Sequence, residues 1–342
     1  MRRLSRPCRA VAAFFVSCGT LIASPARSDP ADFYRGKTVE ILVGFSAGGG
    51  YDAYARALAR ALGNHIPGRP QVVVKNFTGA GSLRLARYLQ DAAPRDGLSF
   101  GTFDTALLIS PMLKDGVNLE PSKLSWIGTI ASDLQVCVLW HASRAKSVED
   151  LRKVSTVFGA TGRDDIRYIS TDVLRKVIGA NIKIVPGYPG TADIRLALEK
   201  SEIDGECETY QSLKSTRQDW INDRKANTFI QFGEQRDPEL PNTPLLIDYA
   251  RSPTEREALK LIFSSGVAGR PYAGPPDVPA DRLQALRRAF DATMKDPEFI
   301  STAQKQNLDL DPRPGEKTEE YLRRAYATPR EVIEVARKLL GD

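Results

Sequence analysis

Two histidines, three tryptophans, three methionines and four cysteines in 342 residues leave little material for several kinds of chemistry. Neither His65 nor His141 stands at a metal-ligand spacing. His65 lies in a Pro/Gly-bearing stretch and reads as solvent-exposed. His141 follows a strand-like run ending at Trp140 and reads as a packing or turn residue. No Gly-x-Ser-x-Gly elbow is present, and no Gly-x-x-x-x-Gly-Lys-[Ser/Thr] loop. Ser46-Ala47-Gly48-Gly49-Gly50 lacks the Gly-x-Gly-x-x-Gly spacing of dinucleotide sites. The sequence offers no metal site, and no cofactor is expected. Glu206 and Glu208 alternate on one strand-like run and would share a face. Paired carboxylates can do acid–base work, but a rim or hydrogen-bonding role is the expectation here.

Long apolar runs are also scarce. The first 28 residues read as a cleaved secretory signal, with Arg2, Arg3, Arg6 and Arg9 ahead of an apolar core over 10–23. Ala26 and Ser28 are small residues placed for a cut after Ser28. The core is shorter than the ~20 apolar residues a spanning helix needs. A lipoprotein role for Cys18 is the weaker alternative, because Phe15 fits poorly three positions before it. No later stretch is long or apolar enough to span a bilayer, so a periplasmic location is expected.

Removing this segment changes the charge and the cysteine count. Five of the 48 basic residues and no acid lie within it, leaving 43 against 42, or +1 in place of +6. Nucleic-acid binding, which wants a basic patch on the folded domain, is not expected. Only Cys137 and Cys207 remain. Two cysteines are too few for a disulfide framework. In an oxidising compartment they either pair or stay as two separate buried thiols. The remaining chain, roughly 314 residues, is long for one core and favours two domains.

One pattern recurs: an apolar strand, a Gly-bearing loop, then an amphipathic helix. Val39–Phe45 leads through Ser46–Gly50 into a helix over Asp52–Leu62, closed by Gly63. Gln71–Asn76, Val154–Phe158 and Lys183–Val185 each start a similar unit. The alternation predicts βαβ units and mostly parallel sheets. Ser125–Ile130 and Gln135–Trp140 are two strand-like runs around a first domain crossing near 131. The return follows the Pro- and charge-rich stretch 234–257, with a strand-like run at Leu261–Ala268. Helices are expected at Asp281–Lys295, with Asp281 as N-cap and Pro297 as stop, and over Lys317–Leu340.

In such units the loops gather at the carboxyl ends of the strands. There helix N-termini offer unpaired N–H groups and partial positive charge, and glycine lets the backbone approach a ligand. Gly48-Gly49-Gly50 and Gly79-Ala80-Gly81 therefore read as oxyanion cradles or, more plainly, as tight turns, and two such loops in one domain facing two more in the next favour a ligand cleft. Aromatic residues flank the loops: Phe45, Tyr51, Phe77, Phe103, Tyr188 and Tyr210. At least half of them are expected in the core. The rest favour a carboxylate with an apolar or aromatic body over a fully polar tricarboxylate.

Val39-Glu-Ile-Leu-Val-Gly-Phe-Ser-Ala-Gly-Gly-Gly-Tyr-Asp52 resembles the first strand and triple-glycine loop of the Bug receptors of the tripartite tricarboxylate transporter family. Val72–Asn76 with Gly79-Ala80-Gly81, the turn Ala93–Gly97, Gly187–Gly190 and Ile203–Gly205 resemble further family motifs, in the same order. The resemblance implies an α/β, two-lobed periplasmic-binding-protein-like fold with a ligand cleft between lobes, here 31–130 plus 256–342 and 131–255. It implies a monomeric, non-enzymatic receptor that holds a small organic carboxylate and delivers it to a large and a small membrane permease subunit. Carried over to this chain, the first-lobe binding residues are Phe45, Ser46, Ala47, Gly48, Gly49, Gly50, Tyr51 and Asp52, with Gly79, Ala80, Gly81 and Ser82. The second lobe contributes Thr161, Gly162 and Arg163, then Tyr188, Pro189, Gly190 and Thr191, and the pair Glu208 and Thr209. Arg163 departs from the small polar residues usual in that loop. Its guanidinium either clamps a second acid group of the ligand, or pairs locally with Asp164 or Asp165 or faces solvent. A ligand sensor for a signalling kinase and a periplasmic hydrolase are the alternatives from other classes.

Overall fold

Strand β1 (Thr38–Val43) buries Val39, Ile41, Leu42 and Val43, apolar to both faces as a central strand must be. It pairs in parallel with β2 (Gln71–Asn76) and β3 (Ser99–Thr102). The wholly buried β4 (Ser125–Thr129) completes the first run of strands. The chain then enters a second sheet, made of β5 (Gln135–Trp140), β6 (Thr156–Gly159), β7 (Ile182–Val185), β8 (Gly205–Thr209) and β9 (Ala226–Phe232). It returns through β10 (Pro271–Gly274) and β11 (Arg313–Pro314). The first sheet runs β11-β4-β10-β3-β1-β2 and the second β7-β6-β8-β5-β9. This computed structural model describes residues 29–341; the expected signal segment at 1–28, with Cys18, lies outside the described residues.

Both sheets are mixed, not mostly parallel. The antiparallel pairs are β10 against β3 and β4, β11 against β4, and β5 against β8 and β9. β5 and β10 are the first strands after the chain passes from one sheet to the other.

The helices follow the 3.6-residue period. In Gly50–His65 the buried positions Tyr51, Tyr54, Ala55, Leu58 and Leu62 form one stripe against β1 and the helix Ala280–Thr293. This helix runs through Gly63 and ends at His65, so Gly63 is no terminator. His65 is half-buried, its Nε2 2.8 Å from Asp296 Oδ2, and is not a solvent-facing loop residue. Leu261–Ala268 is not a strand: it holds the last turn of the helix Pro253–Phe263 and a 3-10 segment, and the strand comes later at β10. Asp281 lies inside its helix, behind Pro279 at the cap. Pro297 opens the helix Pro297–Lys305, and Asp296 caps it. The C-terminal helical stretch is two helices, Gly315–Tyr326 and Arg330–Leu340, interrupted before Pro329, where helical backbone is disfavoured.

Cys137 and Cys207 occupy directly paired positions of β5 and β8 and form a disulfide. The terminal helix reaches both sheets' neighbourhoods. Arg337 Nη2 donates to the Met112 carbonyl at 2.8 Å, and Lys176 Nζ donates to the Leu339 carbonyl at 3.0 Å. No helix among the described residues is long and apolar enough to cross a membrane.

Candidate functional site

The loop after β1 is shaped by one carboxylate. Asp52, in the first turn of the following helix, accepts from the Gly48 N–H (3.0 Å) and Arg56 Nε (2.9 Å) through Oδ2, and from Asn76 Nδ2 (2.9 Å) through Oδ1. Burial opposes its charge, but these hydrogen bonds outweigh it and hold the carboxyl below the usual range. Asp52 is thus an internal tie, and the Gly48 N–H is already taken. The N–H groups of Gly49, Gly50 and Tyr51 open the helix with no acceptor among the described residues.

The second glycine loop is left-handed throughout. Gly79 (φ 137), Ala80 (φ 48), Gly81 (φ 59) and Ser82 (φ 71) follow one another with positive φ. Ala80 and Ser82 carry a Cβ, so this geometry is strained. Ser82 Oγ accepts from the Asp104 N–H at 2.8 Å, which fixes the loop on the end of β3.

The loops of the two lobes meet backbone to backbone. A Cβ on Gly162 would stand 2.5 Å from the Gly81 nitrogen. A Cβ on Gly190 would clash with Ser46. The Ser46 N–H donates to the Pro189 carbonyl (3.2 Å), and Ser46 Oγ donates to Asp193 Oδ2 (2.7 Å). A cavity of about 380 Å³ lies between them. Gly44, Phe45 and Thr78–Ser82 line it from one side, Thr161, Gly162 and Pro186–Pro189 from the other.

The expected site residues therefore separate into groups. Phe45, Gly79, Ala80, Gly81, Ser82, Thr161, Gly162, Tyr188 and Pro189 share the cavity wall. Ser46, Gly49, Gly190 and Thr191 form the neighbouring seam, with Thr191 Oγ1 3.5 Å from the point where a Gly49 Cβ would stand. Ala47 and Gly48 are exposed beside it, and Gly50 and Tyr51 turn into the interior. Of the flanking aromatics, Phe45, Tyr51, Phe103 and Tyr210 are core residues. Phe77 stacks on Tyr88.

Glu206 and Glu208 are fully buried and occupy no rim. Glu208 Oε2 accepts from Arg195 Nη2 at 2.5 Å. Burial, then the adjacent Glu208, pushes Glu206 well above the ordinary carboxylate range. Thr209 caps the next helix and accepts from Arg270 Nη2 at 2.8 Å. These residues are scaffold beneath the cleft.

Arg163 is exposed, its guanidinium 5.5 Å from the Tyr168 ring centre, and it pairs with neither Asp164 nor Asp165. The buried arginine of this loop is four residues on. Arg167 is 1% exposed, donates to Thr191 Oγ1 and lies 5.5 Å from the Phe45 ring centre. Its Nε and Nη1 have no partner. Sequence reasoning passed over it. The available signal was its place on the buried stripe of the helix Ile166–Ile178, in line with Thr171, Leu174 and Ile178. Asp165 caps this helix, accepting from the Tyr168 N–H at 2.8 Å. Asp104, from the other lobe, accepts from the Ile166 N–H at 3.1 Å. Burial, then Asp165, pushes Asp104 up to about 7. No cluster of His, Cys, Asp and Glu suited to a metal ion occurs among the described residues.

The chain has a two-lobed α/β fold shared with solved periplasmic binding proteins. The resemblance to Bug receptors extends to that fold. The fold matches the periplasmic binding protein BugD (TM-score 0.71, 19% identity, 90% of this chain and 98% of that one). It also matches MatC of Rhodopseudomonas palustris with bound malate (TM-score 0.68, 17% identity, 89% and 99%). In sequence, a UPF0065 protein of Agrobacterium vitis from the ttuE-ttuC' intergenic region is 25% identical over 276 residues, covering 79% of this chain and 75% of that protein. No family model matches the chain.

Proposed function

We propose that this chain is an exported periplasmic receptor that captures a small organic carboxylate between its lobes and delivers it to a membrane permease of one large and one small subunit. It acts as a monomer and catalyses no reaction. The lobes are 31–130 with 256–342, and 131–255, closing over the ligand by a hinge motion. The observation that carries this reading is the cavity between the two glycine loops and the 161–162 and 186–189 segments. Its walls are mainly backbone and small side chains, with Phe45 and Tyr188 as the aromatic surfaces. Backbone N–H groups at a helix start favour an anion, and the solute-binding fold is the class in which such a cleft serves capture rather than chemistry.

Native mass spectrometry of protein purified without refolding tests the reading, with a bound organic acid as the expected result. Calorimetry with benzoate, phthalate, succinate and citrate then grades the ligand body. The aromatic walls favour benzoate- or phthalate-type acids, and tight citrate binding with none for the aromatic acids would refute that preference.

A further inference from the structure

Three arginines are fully buried near the lobe boundary: Arg167, Arg195 and Arg270. Two of them have evident structural duties. Arg195 donates to Glu208 Oε2 and to Thr216 Oγ1. Arg270 faces Asp133 (Nε to Oδ1 3.2 Å), donates to Thr209 and Ser212, and lies against the rings of Tyr51 and Tyr54 at 4.8 and 4.5 Å.

Arg167 differs. Its side chain makes one hydrogen bond among the described residues, to the Thr191 hydroxyl. Four carboxylates surround it, those of Asp165, Glu206, Asp104 and Glu208, yet none accepts from it. Asp165 is occupied by Thr161 and by the Tyr168 N–H. Asp104 Oδ1 is occupied by the Ala106 and Ile166 N–H groups. A guanidinium brings five N–H donors in a planar fork, and leaving charged donors buried without acceptors is costly. Arg270 also leaves Nε and Nη1 without a hydrogen bond, but its Nε lies 3.2 Å from Asp133 Oδ1, whereas Arg167 has no ion pair of that kind among the described residues.

Thr191, which holds the guanidinium, is also the residue facing Gly49 across the seam, and the Phe45 ring beneath the guanidinium belongs to the cavity wall. The cation therefore lies against the Phe45 ring, next to the seam where Thr191 faces Gly49. Burial disfavours charge on Asp104, Asp165 and Glu206 around it.

We propose that Arg167, aimed by Thr191, pairs directly with the anionic group of the ligand and makes this receptor select acids over their neutral analogues. The inference rests on the receptor reading above. It adds the residue that supplies the countercharge.

Calorimetry and thermal shift with succinate, phthalate and benzoate, each beside its amide, test it on the wild type and on Arg167→Gln, Arg167→Lys and Thr191→Val. The wild type is expected to bind at least one acid and to discriminate against its amide at least tenfold. In Arg167→Gln that acid weakens at least tenfold and the discrimination collapses. Arg167→Lys recovers part of the discrimination, because charge is kept and the fork is lost. Circular dichroism checks folding. If Arg167→Gln fails to fold, Arg167→Lys and Thr191→Val decide, each expected to lose at least threefold in acid binding with the amide unaffected. Acid affinity within twofold of wild type in the folded variants overturns the inference and leaves the receptor reading intact. Equal losses for acid and amide reduce Arg167 to a structural residue and overturn it as well. A wild type that binds none of the acids overturns both.

Discussion

Asp104 carries a buried carboxylate from one lobe to a helix N-terminus in the other, and only one of its oxygens is used. Oδ1 accepts from Ala106 and Ile166, while Oδ2 is buried without a partner. Burial and the nearby Asp165 raise its titration to about 7, from 3.8 in an exposed chain. A carboxyl raised in this way contributes stability that is fully present below about pH 4 and is lost as pH rises through about 7. Asp104→Asn keeps an acceptor oxygen and removes the charge. Its unfolding free energy is expected to exceed wild type at pH 8 by on the order of 1–4 kcal/mol, at about 1.4 kcal/mol per unit, and by less at pH 5.5. Urea unfolding at the two values measures this, and parallel pH profiles would remove Asp104 from the account. The glycine loops were legible in the sequence because their chemistry is local: consecutive residues between a strand and a helix. Arg167 was not, because its meaning depends on Thr191 and Phe45, distant in the chain. Asp52 was read as a site residue from its place at the helix start, while its partners Asn76 and Arg56 show it bracing the loop.

Between elements, the disulfide ties β5 to β8, adjacent strands already joined by their ladder. The cysteines lie 70 residues apart, so the bridge acts mainly by restricting the unfolded chain. Replacing both by Ala is expected to cost about 2–4 kcal/mol in urea unfolding, with ligand affinity within twofold of wild type. A large affinity loss would show that the bridge shapes the cleft as well. At this scale the sequence predicted well where apolar runs were short and bounded by polar or turn-forming residues, as in β1, β2 and β5. It misread Leu261–Ala268, whose apolar residues look continuous. The decisive signal stood earlier, in Ser252-Pro253-Thr254-Glu255. Ser252 Oγ accepts from the Glu255 N–H, and Glu255 reaches back to the Arg251 N–H. This resembles a capping box, with the return bond made one residue before the cap, and it commits the following turns to helix. Strand direction was harder still. Antiparallel entry at β5 and β10 follows the chain's passages between the sheets, and no local residue pattern encodes that.

For the whole molecule, glycine loops of opposite lobes come together backbone to backbone. Gly162 has no room for a Cβ against Gly81, a contact within neither lobe's own core. Gly162→Ala is therefore expected to leave melting within a few degrees of wild type, weaken ligand binding at least tenfold, and enlarge the radius of gyration of ligand-mixed samples in small-angle scattering. A variant that binds normally would show that the seam yields easily. The contacts that join the lobes have a further consequence. Ser46 with Asp193 and Pro189, and Asp104 with the Ile166 N–H, are made between protein groups alone. The shut form thus has adhesion of its own, and in the proposed receptor role an empty molecule is expected to spend part of its time shut. In the proposed transport role, such empty shut molecules would queue at the permease beside loaded ones. Uptake would then pass through a maximum as receptor abundance rises, and the strength of the Ser46–Asp193 bond would decide where that maximum falls.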